Sequence, residues 1–173
     1  TICNLRGGIG KTSLSFNLSH LTDNLLVVDS CPQGNLSYFY NPNYISQQDP
    51  SLNDLLLPYF VPGLGKGSNV AKPIGATNQY FQTKNSFFIK SSNELYLLPS
   101  QMANALVQAK TLVGSNQSVV IDNLLFALDT EITREQAETG TTRCLIYTSP
   151  FFAGATHLAW HPSAALLLPV RTD

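Results

Sequence analysis

The apolar positions of this chain fall into two kinds of pattern, and the two alternate. Short continuous runs come first and recur. Residues 2–5 read as the end of a buried strand, and 25–29 (Leu25-Leu26-Val27-Val28-Asp29) is an apolar run closed by an acid, the signature of a parallel strand covered on both faces. Between them, Leu14, Leu18 and Leu21 recur at helical spacing, which predicts a helix from Lys11 to about Thr22 with those leucines on one face. Strand, helix and strand within this length make a βαβ unit. Further on, 51–57 predicts a short helix with Ser51 as its N-cap and Pro58 as its stop, and 62–75 is rich in Gly and Pro and predicts a loop. Predicted strands at 94–98, 145–147 and 165–170 are interleaved with predicted helices at 101–113, 118–138 and 153–160. The alternation specifies an α/β domain with a parallel sheet; 41–93 is its irregular, loop-rich part.

Composition narrows the class. The chain has 173 residues and 43% hydrophobic content, enough for one domain with a real core. Charged residues make up 12%, against roughly 25% in an average soluble protein, which excludes a highly charged disordered chain. The formal net charge of −1 excludes a globally basic nucleic-acid binder, though not a local basic patch such as Lys66, Lys72, Lys84 and Lys90, a stretch without acids. No apolar run reaches the roughly 20 residues that span a bilayer. Cys3, Cys31 and Cys144 form neither a CxxC pair nor a zinc spacing, so they read as reduced, packed thiols. The absence of a signal peptide and of paired cysteines makes a cytoplasmic location the expectation. The chain starts at Thr1 without Met and ends just after an apolar run, so both ends are expected to be trimmed.

The chemistry is concentrated at Arg6-Gly7-Gly8-Ile9-Gly10-Lys11-Thr12-Ser13. Glycines between a strand and a helix let successive N–H groups face inward, and the helix N-terminus adds a positive dipole end. Such a turn cradles phosphates, with Lys11 reaching the β- and γ-phosphates and the Thr12 hydroxyl serving Mg²⁺. The strict G-x-x-x-x-G-K-[ST] pattern is not met, because Leu5 stands at its first Gly.

This segment resembles the deviant Walker A motif K-G-G-x-G-K-[ST] of the ParA/MinD/Soj ATPases. Asp29-Ser30-Cys31-Pro32-Gln33-Gly34-Asn35 resembles their D-x-D-P-Q-G-N segment, Leu97-Leu98-Pro99-Ser100 their L-I-P-S strand end, and 165–173 their strand V-L-I-P-V-Q-T-E. The P-Q-G-N match favours the ParA/Soj branch. The resemblance implies a single three-layer P-loop NTPase domain over 1–173, with a mostly parallel sheet flanked by helices. It further implies ATP and Mg²⁺ as cofactors and hydrolysis of ATP to ADP and phosphate. Gly7, Gly8, Ile9, Gly10, Lys11, Thr12 and Ser13 would bind the nucleotide, Thr12 and Asp29 the metal, and Lys11, Arg6 and Asp29 would be catalytic. A nucleotide-dependent homodimer, a ParB-like or cargo partner, nonspecific DNA binding and a role in plasmid or chromosome partition or cargo positioning are implied in the same way.

The sequence departs from the family at three places. Arg6 replaces a Lys that reaches across the dimer; it keeps the charge and changes its shape to a planar fork. Cys31 replaces the second acid of D-x-D, and a thiol is a weak hydrogen-bond acceptor. For the Walker B acid two placements compete, Asp122 at the end of Val119-Val120-Ile121, and Tyr147 in Cys144-Leu145-Ile146-Tyr147-Thr148-Ser149-Pro150. The second keeps the downstream residues in register and is favoured. It puts a phenol, neutral at pH 7, where the family has a carboxylate. Slow or absent hydrolysis follows as an expectation. The alternative function is a non-catalytic nucleotide-binding or protein-interaction module. His157 and His161 share a helical face without a third ligand and read as ordinary surface or core residues, and Phe151, Phe152 and Trp160 as packing.

Overall fold

The computed structural model describes residues 1–45, 48–65, 67, 69–112, 115–151 and 154–170. Its strands are β1 (Leu25–Asp29), β2 (Lys72–Pro73), β3 (Ser86–Ile89) and β4 (Arg143–Tyr147), in the sheet order β2-β3-β1-β4. β1 is central and parallel to both neighbours, with Val27 opposite Phe88 and Leu145; β2 is antiparallel to β3. Ile2 extends the sheet by isolated parallel bridges to Tyr147 and Leu167. Seven helices flank it among the described residues: α1 (Lys11–Leu21), α2 (Asn35–Tyr40), α3 (Leu52–Phe60), α4 (Leu98–Ala109), α5 (Ser115–Leu125), α6 (Ala127–Thr139) and α7 (Gly154–Leu158).

The alternation of side chains along β1 builds the three layers. Leu26 and Val28 pack into a core with α3, α4, α6 and α7. Leu25 and Val27 face the other way, into a smaller core with Leu36 and Tyr40 of α2, Phe81, and the partly buried Phe16 and Leu18 of α1. The fold is therefore a three-layer α/β arrangement around a mixed, mostly parallel sheet, as the alternation predicts.

Several elements differ from the sequence expectation. α1 has the expected span, but of the three leucines only Leu18 packs against the core; Lys11, Ser15 and Ser19 are buried, while Leu14 and Leu21 are 40% and 78% exposed. The serines can be buried because they satisfy themselves on their own helix: Ser15 Oγ donates to the Lys11 carbonyl at 2.8 Å and Ser19 Oγ to that of Phe16 at 2.7 Å. α3 does not stop at Pro58 but carries it in the last turn. The lost backbone bond is offset by burial of Phe60 and by the Tyr59 hydroxyl, which donates to Glu131 on α6 at 2.7 Å.

The stretch 41–93 holds more regular structure than its composition suggests, including β3, the parallel neighbour of β1. The strand expected at 94–98 is a 3-10 turn, Asn93–Tyr96, followed by α4. Leu95 and Leu98 are fully buried while Tyr96 and Leu97 are exposed, a helical rather than an alternating pattern. Leu97-Leu98-Pro99-Ser100 therefore opens a helix instead of ending a strand. The helix expected over 118–138 is divided at Phe126 (φ −94°, ψ 12°), which lets α5 pack on α3 and α4 while α6 packs on α3 and α7. The final strand is reduced to the single bridge at Leu167. Lys66, Phe152, the start of the 153–160 helix and the tail 171–173 lie outside the described residues.

α6 also anchors the approach to β2. Glu135, fully buried, accepts from the Ala71 N–H at 2.9 Å and from Arg134 at 3.0 Å, and Arg134 also pairs with Glu131 at 2.8 Å. Two acids and one shared guanidinium thus tie the Val70–Ala71 backbone to the helical layer.

Candidate functional site

The site begins where Ile2 leaves the sheet. The Ile2 N–H donates to the Ile146 carbonyl at 2.8 Å, and Cys3 N–H donates to Leu167 at 3.1 Å. Asn4 then turns the chain: its Oδ1 accepts from the Arg6 N–H at 2.7 Å, an Asx turn, and its Nδ2 donates to the Pro169 carbonyl at 2.7 Å. Residues 5–8 and Gly10 are exposed, with Ile9 half-buried. Gly10 caps α1 from the left-handed region (φ 82°) without any side-chain cap, so the first-turn N–H groups of α1 are left for another acceptor. Side chains built at Gly7, Gly8 or Gly10 would meet nothing within 4 Å. The turn is thus open around its glycines and precedes an uncapped helix N-terminus, the combination that suits an anion.

Lys11 closes the cradle from beneath. Its side chain is 5% exposed, and Nζ donates to the carbonyls of Asn4 and Arg6 at 2.9 Å each. Burial lowers its pKa from the ordinary lysine value, and the Cys31 and Cys3 thiols oppose that shift weakly. One of its three ammonium protons remains for a ligand. Arg6 is exposed within the turn, and Ser13 is exposed in the first turn of α1. Thr12 is half-buried, and its Oγ1 is 2.9 Å from the Tyr147 hydroxyl.

Asp29 and Tyr147 stand side by side, in register at the carboxyl ends of β1 and β4. Asp29 is 1% exposed and its carboxylate is fully engaged. Oδ1 accepts from the Cys31 N–H at 3.1 Å, and Oδ2 accepts from the Ser37 N–H and Oγ at 2.7 Å each. Burial nevertheless raises its pKa to about 6, against the lowering effect of the Ser37 and Cys31 donors. Cys31 is fully buried, and burial and the nearby Asp29 push its thiol up to about 11, so it stays protonated and unreactive at neutral pH. Tyr147 is 3% exposed and is pushed up to about 12 by burial, with the Thr12 hydroxyl as its hydrogen-bond partner. Asp122, the rival position, lies exposed on α5, in the helical layer on the other face of the sheet.

The structure thus gathers Arg6 to Ser13, Asp29, Cys31 and Tyr147 at one end of the sheet. Sequence reasoning missed Ser37, the partner that holds Asp29, and Asn4, which shapes the turn; neither belongs to a motif. Gly34, also left-handed (φ 63°), caps α2 and leaves the space that the Tyr44 hydroxyl fills. Among the described residues no group of three or more His, Cys, Asp or Glu side chains could hold a metal ion, and the His157 and His161 rings simply stack, 6.0 Å apart. The phosphates of a nucleotide would meet Lys11 and the uncapped N-terminus of α1. For a divalent cation the fit is narrower: Thr12 offers a hydroxyl shared with Tyr147, and Asp29 offers no uncommitted oxygen.

No protein-family model and no curated protein sequence matches the chain. Solved structures do. The ATP complex of McdA from Cyanothece superposes with a TM-score of 0.66 at 19% identity, over 97% of this chain and 54% of that one. The chain has a ParA/Soj-like P-loop fold. Cobyrinic acid a,c-diamide synthase from Mycobacterium smegmatis, with bound ADP and magnesium, gives 0.64 at 17% identity over 98% and 58%. A putative plasmid partition protein from Borrelia burgdorferi B31, bound to AMPPNP, gives 0.59 at 14% over 97% and 60%. This ParA/Soj-like chain spans somewhat over half the length of these proteins. Among its described residues no helix is long and apolar enough to cross a membrane.

Proposed function

We propose that the chain is a ParA/Soj-like ATP-binding module that hydrolyses ATP slowly or not at all. The observation that carries this reading is the open glycine turn between the sheet and α1, closed from beneath by Lys11. Gly7 to Ser13 would hold the phosphates through backbone N–H groups, Lys11 would neutralise their charge, and Thr12 would be the protein's ligand to Mg²⁺. Bound Mg²⁺ would supply further neutralisation of the β- and γ-phosphates. Asp29 serves the site by holding the 31–37 segment against the end of β1. Arg6, exposed in the turn, would reach a nucleotide in a second copy and so contribute the contact of a nucleotide-dependent homodimer.

Plasmid or chromosome partition, or cargo positioning through a ParB-like or cargo partner, is the role this reading implies. Nonspecific DNA binding ranks lowest, because Lys84 pairs with Asp23 at 2.9 Å and Lys90 donates to the Tyr44 carbonyl at 3.1 Å, which leaves Lys72 exposed without those neighbours. A second reading, a non-catalytic interaction module, is favoured by the neutral Cys31 and Tyr147 at the positions where the family has carboxylates.

Equilibrium binding of a fluorescent ATP analogue tests the proposal. Saturable binding that unlabelled ATP displaces is expected. A signal that does not saturate by about 1 mM, the affinity of contacts worth only about 4 kcal/mol in all, would overturn it.

A further inference from the structure

We infer that the open edge of the sheet, at 166–168, is where a second copy of this chain pairs, strand against strand, without any nucleotide. This contact goes beyond the nucleotide-binding reading and does not depend on it.

The sheet has two edges, and they are built differently. One is β2, only Lys72 and Pro73, antiparallel to β3. A charge and a proline on a short edge strand both discourage a further strand. The other edge is the 165–169 segment, which runs parallel to residues 1–3. The Leu167 N–H donates to the Thr1 carbonyl at 2.8 Å, and the Leu167 carbonyl accepts from the Cys3 N–H at 3.1 Å. Backbone groups alternate in direction along a strand, so Leu166 and Leu168 turn their N–H and C=O groups outward. Those groups have no hydrogen-bond partner among the described residues. Pro169 does not blunt this edge. Its place in the alternation puts the missing N–H on the paired side, where the Asn4 side chain donates to the Pro169 carbonyl.

The side chains favour the same kind of partner. Leu166, Leu167, Leu168 and Val170 are 45% to 81% exposed, and residues 162–170 carry no charge. Leu166, Leu168 and Val170 line a shallow apolar groove with Leu5 and Trp160, while the alternation sends Leu167 to the other face. An added strand must therefore be uncharged and apolar on both faces, and the 166–168 segment of a second copy meets both demands. Placed antiparallel, Leu167 stands opposite the partner's Leu167. Leu166 then exchanges N–H···O=C bonds with the partner's Leu168, and Leu168 with the partner's Leu166. Every open group at 166 and 168 is satisfied at once. The arrangement is two-fold, closes on itself and keeps the same sheet face up in both copies. A charged or polar strand would leave its side chains against leucine on both faces.

Sedimentation velocity without nucleotide tests this on the unmodified chain and on Leu167→Lys and Leu167→Glu, with thermal melting to show that each is folded. The unmodified chain is expected to dimerise with a dissociation constant of about 10 µM, that of a small interface. Either substitution sets like charges opposite each other at the centre of the contact, so each variant should dimerise at least about tenfold more weakly. An equimolar mixture of the two variants should recover dimers, because opposite charges then face each other. Amide exchange reads the contact without any substitution: the Leu166 and Leu168 N–H groups should exchange more slowly as the concentration of the chain rises. An unmodified chain that is monomeric at about 300 µM overturns the inference and leaves the edge to a strand of another sequence. Dimers that form only when ATP is added also overturn it, since they belong to the Arg6 contact. So do open assemblies in place of dimers, a folded variant that dimerises like the parent, a mixture no more dimeric than its components, and exchange at Leu166 and Leu168 that ignores concentration.

Discussion

Lys11→Ala is expected to weaken ATP binding by about a hundredfold, the loss of a charge-assisted contact of about 3 kcal/mol. Two effects combine. The ammonium that would meet the β- and γ-phosphates is gone, and so are its bonds to the carbonyls of Asn4 and Arg6, which set the shape of the turn. Met restores much of the side chain's length but neither its charge nor its hydrogen bonds to Asn4 and Arg6, so Lys11→Met should be almost as weak as Lys11→Ala. Titration with a fluorescent ATP analogue measures the change, and unaltered melting of the variant assigns it to the site. Unchanged affinity in a folded Lys11→Ala chain would mean that the turn does not hold the phosphates.

Asp29→Ala is expected to destabilise the fold by about 3 kcal/mol, because the buried N–H groups of Cys31 and Ser37 and the Ser37 hydroxyl lose their common acceptor. Chemical denaturation measures this. The same carboxylate gives the protein a distinctive pH response. Its pKa is about 6 in the folded chain, above its ordinary value of 3.8. The folded state therefore binds this proton more tightly than the unfolded state does. Its contribution to stability is complete below pH 4 and is lost as the pH rises through 6. Between pH 7 and pH 4.5 the unmodified chain should gain about 2 kcal/mol relative to Asp29→Asn, which has no proton to exchange there. A difference between the two proteins that stays constant with pH would contradict the burial of a charged Asp29.

The parts of the fold visible in the sequence are those fixed by short-range patterns. The run 25–29 is a fully buried central strand, and such a strand needs no alternation to be recognised. The glycine turn before α1 is legible because only a few residue types permit its backbone. The parts that were hidden depend on distant partners. β3 is four residues long between polar flanks, and it is a strand because β1 offers it a parallel edge. The inward face of α1 carries Ser15 and Ser19 beside Phe16 and Leu18, since the serines satisfy themselves on the helix and no hydrophobic periodicity marks them. The 94–98 segment has the residues of a strand, but burial at Leu95 and Leu98 makes it helical. At the site, the choice between Tyr147 and Asp122 could be framed from sequence, but only the sheet register shows Tyr147 beside Asp29. That Asp29 would be spent on Ser37 had no sequence signal at all.

The most direct test of the central claim is ATP binding and ATP turnover measured on one sample. ATP should saturate the chain while ADP forms no faster than roughly 10⁻³ s⁻¹, the order of an unassisted phosphoryl-transfer site. Lys11-dependent turnover well above that rate, or a chain that never takes up ATP, would contradict slow or absent hydrolysis at a nucleotide-binding site.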